Sequence, residues 1–421
     1  MSNHRPLAIK AYNIIFIILL PLLFLRLLLK SLKLKTYRLR WKERLGIFSP
    51  PQLNNSIWVH AVSVGEIMAA MPIIQKIQTI LPNNNIVVTC TTPAGSYILQ
   101  KKLSNKVFHV YFPFDVNFAV NNFLSKIKPK LLIILEKEIW PNLIVNCHKN
   151  NIPIIIANAQ LSNKSFYRYS LIKSLMASWL KNITFICTQT KFDTYKFKKL
   201  INNNAIKNII TVGNTKFDLI TQTEKLADAI LRPTWIAAST HPGEEELILA
   251  THKTILTKIP NALLILVPRH SERCSDIIKK IKETKFVLRS KQSNLDIPNG
   301  QVYLVDSVGE LNLLYSMSQV AFVGGSLVPI GGHNVLEPAA LSIPVIVGPY
   351  TANCKQIVFR MKMANGLFVI KNPQELSEIV LQLLTNKNLC EKIGLNAKKF
   401  LDSHVGASEQ IVDLVARVIS L

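Results

Sequence analysis

Acid is scarce in this chain: 25 Asp and Glu stand against 50 Lys and Arg over 421 residues, leaving a formal net charge of +25. Such a field attracts anions, so nucleic acid, anionic lipid and phosphorylated substrates are all eligible partners, although a general richness in Lys, Asn and Ile explains part of the excess. No interleaving of aromatic and basic residues marks a nucleic-acid module, and no nucleic-acid partner is expected. Cysteine is sparse as well. Cys90, Cys147, Cys187, Cys274, Cys354 and Cys390 form no CxxC pair or compact framework, which argues against disulfides and zinc and for reduced, mostly buried thiols. Also missing are GxxxxGK[ST], a complete GxGxxG and HExxH, which argues against an NTPase, a simple dehydrogenase and a metalloprotease-like site. His60, His241, His270 and His333 come from separate segments without ligand spacing, so neither a metal nor a cofactor is expected.

What is present is apolar residue, at 49%, enough to bury more than one core and to exclude wholesale disorder. The length favours two domains plus something extra. That extra is at the front. Tyr12 to Leu25 is apolar almost without interruption, and the run continues past Arg26 through Leu29, reaching roughly the ~20 residues that span a bilayer. Lys30, Lys33, Lys35, Arg38, Arg40, Lys42 and Arg44 follow, a cluster expected on the cytoplasmic side and against anionic inner-membrane lipids. The charge lies after the run and no small-residue cleavage site follows, which favours a signal-anchor over a cleaved signal peptide. A helix lying in the interface, with Arg26 snorkelling to the headgroups, is the alternative to a span.

Beyond the anchor, short apolar runs alternate with amphipathic segments, the signature of parallel sheets flanked by helices. Ile57 to Val62 leads through Ser63, Val64, Gly65 and Glu66 into a helical stretch from Ile67 to Ile80. Leu131 to Leu135 precedes Glu136, Lys137 and Glu138, and Pro153 to Ala157 precedes Asn158. The pattern repeats: Trp235 to Ala238 before Ser239 and Thr240, Leu263 to Val267 before Pro268 and Arg269, Val302 to Val305 before Asp306 and Ser307, and Val320 to Val323 before Gly324, Gly325 and Ser326. Each polar cluster falls at a strand's carboxyl end, where open α/β sheets bind ligands. A polar stretch, Asn214 to Pro233, marks the junction. The expected layout is a membrane anchor and basic segment (1–45), a Rossmann-like domain (46–213) and a second Rossmann-like domain (214–421), with two sheets facing one central cleft.

Several residues have the chemistry a site needs. Glu66 follows Gly65 at a helix start, where the dipole favours a carboxylate; general base and simple helix decoration both fit. Glu136 follows a wholly apolar strand, where a carboxylate must be solvated in a cleft or paired with a lysine. Arg269 emerges after a strand with a geometry suited to phosphate. The run Gly324, Gly325, Ser326, then Gly331, Gly332, His333, Asn334, precedes a helix predicted over Val335 to Leu341, a pattern that brings backbone N–H groups to an anion. Glu337 in that helix's first turn suits ribose hydroxyls or the dipole.

Taken in order, HAVSVGE ending at Glu66, EKEIWPNL from Glu136, NAQLSNKS from Asn158, GNTKFD from Gly213, STHPGEE from Ser239, LVPRH ending at His270 and FVGGSLVPIGGHNVLEPAA from Phe322 resemble the 3-deoxy-D-manno-octulosonic acid (Kdo) transferases of lipopolysaccharide synthesis over nearly the whole chain. The resemblance implies the two-domain GT-B fold with an N-terminal membrane anchor. It implies Glu66 as general base, Glu136 and Lys216 as transition-state stabilisers, and Pro268, Arg269, Val308, Gly309, Glu310, Asn334, Val335, Leu336 and Glu337 as contacts to the CMP part of a CMP-Kdo donor. The acceptor implied is a lipid A precursor, lipid IVA, glycosylated at its 6-hydroxyl with inversion. Three positions depart from the family's usual pattern: Gln160 replaces a common arginine, Val335 a common proline and Pro242 a frequent acid. The alternatives are a GT-B transferase or epimerase using another nucleotide sugar, and a non-catalytic basic protein that docks on membranes.

Overall fold

The computed structural model describes residues 4–53, 55–201, 208–220, 232–281, 284–291 and 301–420. These divide into two compact units, residues 1–219 with 405–421, and residues 220–404. The linker reading of Asn214 to Pro233 lies outside the described residues over 221–231.

The first unit carries a seven-stranded parallel sheet: β1 (Ser56–His60), β2 (Ile86–Cys90), β3 (Phe108–Tyr111), β4 (Pro129–Leu135), β5 (Ile154–Ala159), β6 (Phe185–Thr188) and β7 (Ile209–Thr211), in the order β3-β2-β1-β4-β5-β6-β7. Its central strands read as unbroken apolar runs because helices cover both faces; β1 and β2 are buried at every position. One face packs Ile57, Val59, Leu131 and Ile133 against the helix Val64–Ile80, and the other packs Trp58, Leu132 and Ile134 against Phe123 and Leu143. Burying each such side chain stabilises by roughly 1.5–3 kcal/mol. The strand order reverses between β1 and β4, which is where a doubly wound sheet opens a crevice.

The chain's last helix, Ala407–Ile419, belongs to this first unit, whereas the sequence reading ended the second domain at 421. Ile411, Val412 and Val415 complete the core over the helix Val64–Ile80. Asp218 caps it, accepting from the Gly406 N–H at 2.7 Å and from the Ser408 N–H. An amphipathic closing helix looks the same in sequence whichever core it covers.

The front of the chain forms one continuous helix, His4–Lys33, through Pro21, with Ile9–Leu32 long and apolar enough to cross a membrane. It contacts the helices Pro141–Lys149 and Lys173–Leu180 of the same unit. Two of the basic residues that follow turn inward: Arg40 pairs with Glu43 at 2.6 Å and donates to the His109 carbonyl at 2.7 Å, and Arg44 is buried, over the Tyr111 ring and bonded to the Thr91 carbonyl. The Lys33 side chain lies outside the described residues.

The second unit repeats the architecture with β8 (Thr234–Thr240), β9 (Leu263–Pro268), β10 (Phe286–Leu288), β11 (Val302–Leu304), β12 (Val320–Val323), β13 (Val345–Val347) and β14 (Leu367–Val369), all parallel, in the order β10-β11-β9-β8-β12-β13-β14. Here the order reverses between β8 and β12. The glycines after β12 are required by close approach: a Cβ on Gly324 would lie 2.6 Å from the Ser239 carbonyl oxygen.

Candidate active site

In the first unit the residues singled out from sequence converge on the switch point. Glu66 follows β1 and Glu136 follows β4, so neighbouring strands deliver both carboxylates to one end of the sheet. Glu66 sits in the first turn of the helix Val64–Ile80, whose N-cap is Ser63; it accepts from the Val62 N–H at 2.7 Å and from the Ser63 hydroxyl at 3.1 Å. These bonds give it the capping role that sequence alone left open. Capping does not account for its state. The side chain is only 7% exposed, and burial raises its pKa to about 7; the Val62 N–H pulls it down, while Glu136 and Glu138 push it further up. A carboxyl poised near neutrality is what general-base catalysis at physiological pH requires.

Glu136 holds a left-handed backbone, φ 60°, one residue past β4. That conformation costs a non-glycine residue about 1 kcal/mol or more, and its N–H is held by the Ala157 carbonyl at 2.9 Å. Lys216 reaches the Glu136 carboxylate at 3.5 Å with both side chains partly exposed, so the pair is open to solvent and to ligand. Asn158, at the end of β5, repeats the left-handed turn at φ 55°, is fully buried, and accepts the Thr215 N–H at 3.1 Å, which fixes the turn carrying Lys216. Glu138 is the residue sequence reasoning left without a role: burial and Glu136 raise its pKa, and it adds negative potential at Glu66. Its only sequence signal was its place in the EKE cluster. His60 is structural, fully buried, bonded to Thr89 at 2.9 Å and stacked on Phe112, with burial lowering its pKa to about 3.

In the second unit, four neighbouring strands present the remaining residues at one sheet edge: Val308, Gly309 and Glu310 after β11, Pro268 and Arg269 at the end of β9, His241 after β8 and the glycine run after β12. The glycine amides differ from the expectation. Those of Gly325, Ser326 and Leu327 donate to Glu244, at 2.7, 3.0 and 2.8 Å, and Glu244 also accepts from the His241 N–H at 2.9 Å. Glu244 is fully buried. The anion at this part of the loop is therefore the protein's own carboxylate, and its amides are not available to a ligand. Further along, Asn334 accepts from the Leu336 N–H at 3.2 Å and donates to Glu337 at 3.0 Å, at the start of the short helix Leu336–Ala340. Glu310 is engaged by Arg289 at 2.7 Å and by the Ser307 hydroxyl, so a ligand at that turn meets Gly309 backbone and the exposed Val308.

Arg269 is exposed, its N–H bonded to the Thr240 carbonyl at 2.9 Å. Its charge lowers the pKa of both His241 and His333, secondary to their burial. Those two rings share a hydrogen bond at 2.8 Å, and His270 stands 6.1 Å from His241 between ring centres. Three of the four histidines thus gather here, which separate sequence segments did not suggest. Among the described residues no group of three His, Cys, Asp or Glu has metal-holding geometry.

A family model for 3-deoxy-D-manno-octulosonic-acid transferase (kdotransferase) matches residues 39–219, and one for group 1 glycosyl transferases matches residues 232–400. The 3-deoxy-D-manno-octulosonic acid transferase of Haemophilus influenzae is 39% identical over 96% of this chain and 97% of its own length. The chain belongs to the 3-deoxy-D-manno-octulosonic acid transferase family. A probable mitochondrial member from Arabidopsis thaliana is 34% identical over 88% of this chain and 87% of its own. Among solved structures, the UDP-GlcNAc 2-epimerase of Neisseria meningitidis bound to UDP-GlcNAc aligns over 86% of this chain and all of its own, with a TM-score of 0.57 and 14% identity, which shows a shared GT-B fold and nothing more. As a Kdo transferase family member the chain is a glycosyltransferase, and its two parallel-sheet units are the two Rossmann-like halves of that fold.

Proposed function

We propose that this Kdo transferase moves Kdo from CMP-Kdo to the 6-hydroxyl of lipid IVA, with inversion at the anomeric carbon. The observation that carries the mechanism is Glu66, a buried carboxyl with a pKa near 7 at the sheet's switch point, beside the Glu136–Lys216 pair. Glu66 takes the proton of the attacking hydroxyl; its oxygen forms a bond to the anomeric carbon as the bond from that carbon to the CMP oxygen breaks. Lys216 opposes negative charge developing on the departing group, and Glu136 keeps that ammonium in place.

Arg269 binds the donor phosphate, Pro268 and the Val308, Gly309, Glu310 turn line the nucleotide, and Asn334, Val335, Leu336 and Glu337 hold phosphate and ribose. The occupied amides of Gly325 to Leu327 leave this work to the later part of the loop. The helix His4–Lys33 anchors the enzyme to the inner membrane, where a lipid acceptor resides, with the catalytic body on the cytoplasmic side.

The test is to incubate the full chain with CMP-Kdo and lipid IVA and weigh the products. Lipid IVA heavier by one or more Kdo units, with CMP released, is expected. Turnover of a different nucleotide sugar, with CMP-Kdo inert, would replace the donor assignment.

A further inference from the structure

The contacts of the N-terminal helix bear on how it meets the membrane. Tyr12, Asn13, Phe16, Leu20, Phe24 and Ser31 recur at helical spacing and are among the partly or fully covered positions of His4–Lys33. They face the body. The Tyr12 hydroxyl donates to the buried Asp115 at 3.0 Å, Asn13 accepts from the Asn117 N–H at 2.8 Å and from the Asn142 side chain at 3.2 Å, and Phe24 meets Phe114 edge-on at 5.4 Å between ring centres. From Tyr12 to Phe24 the docked stripe runs about 18 Å at ~1.5 Å per residue, more than half the ~30 Å thickness of a hydrocarbon core, and Ser31 is covered by Arg38 of the segment that follows the helix.

A helix docked over that length cannot cross a bilayer alone. Were Leu32 at one surface, Tyr12 would lie at or near the other, and Asp115, Asn117 and Asn142 would enter the hydrocarbon with it. Buried polar groups and irregular backbone of that kind are not tolerated facing lipid. The opposite face is a different surface: Ile18 is 68% exposed, Leu22 59% and Leu32 69%. Arg26, Lys30, Lys35, Arg38 and Lys42 are exposed on or just after the same helix, with charge complementary to anionic headgroups.

We propose that the helix His4–Lys33 lies in the plane of an anionic bilayer's interface, its Tyr12–Phe24 stripe held on protein and its Ile18–Leu32 face sunk among the acyl chains, instead of crossing the membrane. This rests on the membrane-anchor reading above and adds the orientation of the anchor. The active site then sits on a body fixed side-on to the surface that supplies its acceptor.

The test uses the full chain with Cys354 and Cys390, the two cysteines that are not buried, replaced by serine, and a nitroxide placed in turn at Ile18→Cys, Leu25→Cys and Leu32→Cys. The variants are bound to vesicles of phosphatidylethanolamine and phosphatidylglycerol. An in-plane helix puts the three labels within about 5 Å of one depth, accessible to oxygen and shielded from aqueous nickel. A spanning helix separates Ile18 from Leu32 by about 21 Å of depth, and that graded profile would overturn the orientation while leaving the anchor standing. Failure to bind vesicles at all would remove the anchor and the proposal together. Dipolar broadening between labels, with no lipid depth, would give this face to a second copy of the chain. Vesicles of phosphatidylcholine alone should bind at least threefold more weakly, and equal binding would take the basic residues out of the docking face.

Discussion

Both units place a buried glutamate at the reversal point of a parallel sheet, and they treat it in opposite ways. Glu244 in the second unit accepts four backbone N–H groups and is sealed from solvent. Glu66 in the first accepts one N–H and one hydroxyl, and its burial, with two further carboxylates nearby, raises its pKa. Four donors make a buried charge part of the architecture, because they replace the hydration it gave up. Two donors under like-charge pressure leave a group that gains by taking a proton, which is the property a base needs. The same residue type at equivalent places is thus scaffold in one half and, on the function proposed above, reagent in the other.

The largest test of that contrast is Glu66→Ala. It should lower kcat by about 10² to 10⁴, the usual range for losing a general base, with circular dichroism unchanged. In the parent enzyme kcat should fall on the acid side with one ionisation near the pKa of about 7 at Glu66. A flat profile from pH 5.5 to 8, or near-normal turnover by the alanine variant, would make Glu66 a cap and nothing else. Glu244→Gln should do the reverse. An amide keeps one acceptor oxygen and points an NH2 at donors, so stability should drop by about 3 kcal/mol, read as a lower midpoint in urea. A Glu244→Gln protein that melts normally but has lost turnover would exchange the roles of the two residues.

Arg269→Ala should be milder, raising the donor KM by about tenfold with kcat within a factor of three, as loss of one charged ground-state contact does. An unchanged donor KM would separate Arg269 from the phosphate.

Strand ends were where the sequence spoke most clearly. Glu136 and Arg269 could be placed from sequence because each comes at the end of an apolar run, and Glu66 because only a short turn of Ser63, Val64 and Gly65 separates it from one; all seven runs read as strands are strands in the structure. Among the described residues, seven further strands were not read. Four of them, β7, β10, β13 and β14, have only three residues each, too short for a period to register, and β2 is an apolar run that periodicity does not distinguish from a buried helix. The occupied glycine loop was also hidden. That Glu244 fills the amides of residues 325–327 is a contact over more than eighty positions, and no local pattern distinguishes an amide nest filled by the chain from one awaiting ligand. The His241–His333 bond was invisible for the same reason.

The smallest expected effect separates reagent from scaffold by its sign. The pKa of Glu66 is raised on folding, from an ordinary 4.5 to about 7, with burial the main cause. A raised carboxyl pKa gives stability that is fully present below the unfolded value and is lost as pH climbs through the folded one, so at pH 8 the native state carries a charge it would shed. Glu66→Gln imitates the protonated acid and keeps an oxygen for the Val62 N–H. It gives up the attraction of a carboxylate to the helix N-terminus, worth about 0.3–1 kcal/mol. The net gain at pH 8 should be about 1 kcal/mol, a rise of a few degrees in Tm for a unit of this size, and it should shrink steadily as the pH is lowered toward 5. An inactive variant that is more stable than its parent at pH 8 identifies a residue kept for chemistry against the interest of the fold; a variant less stable at every pH would class Glu66 with Glu244.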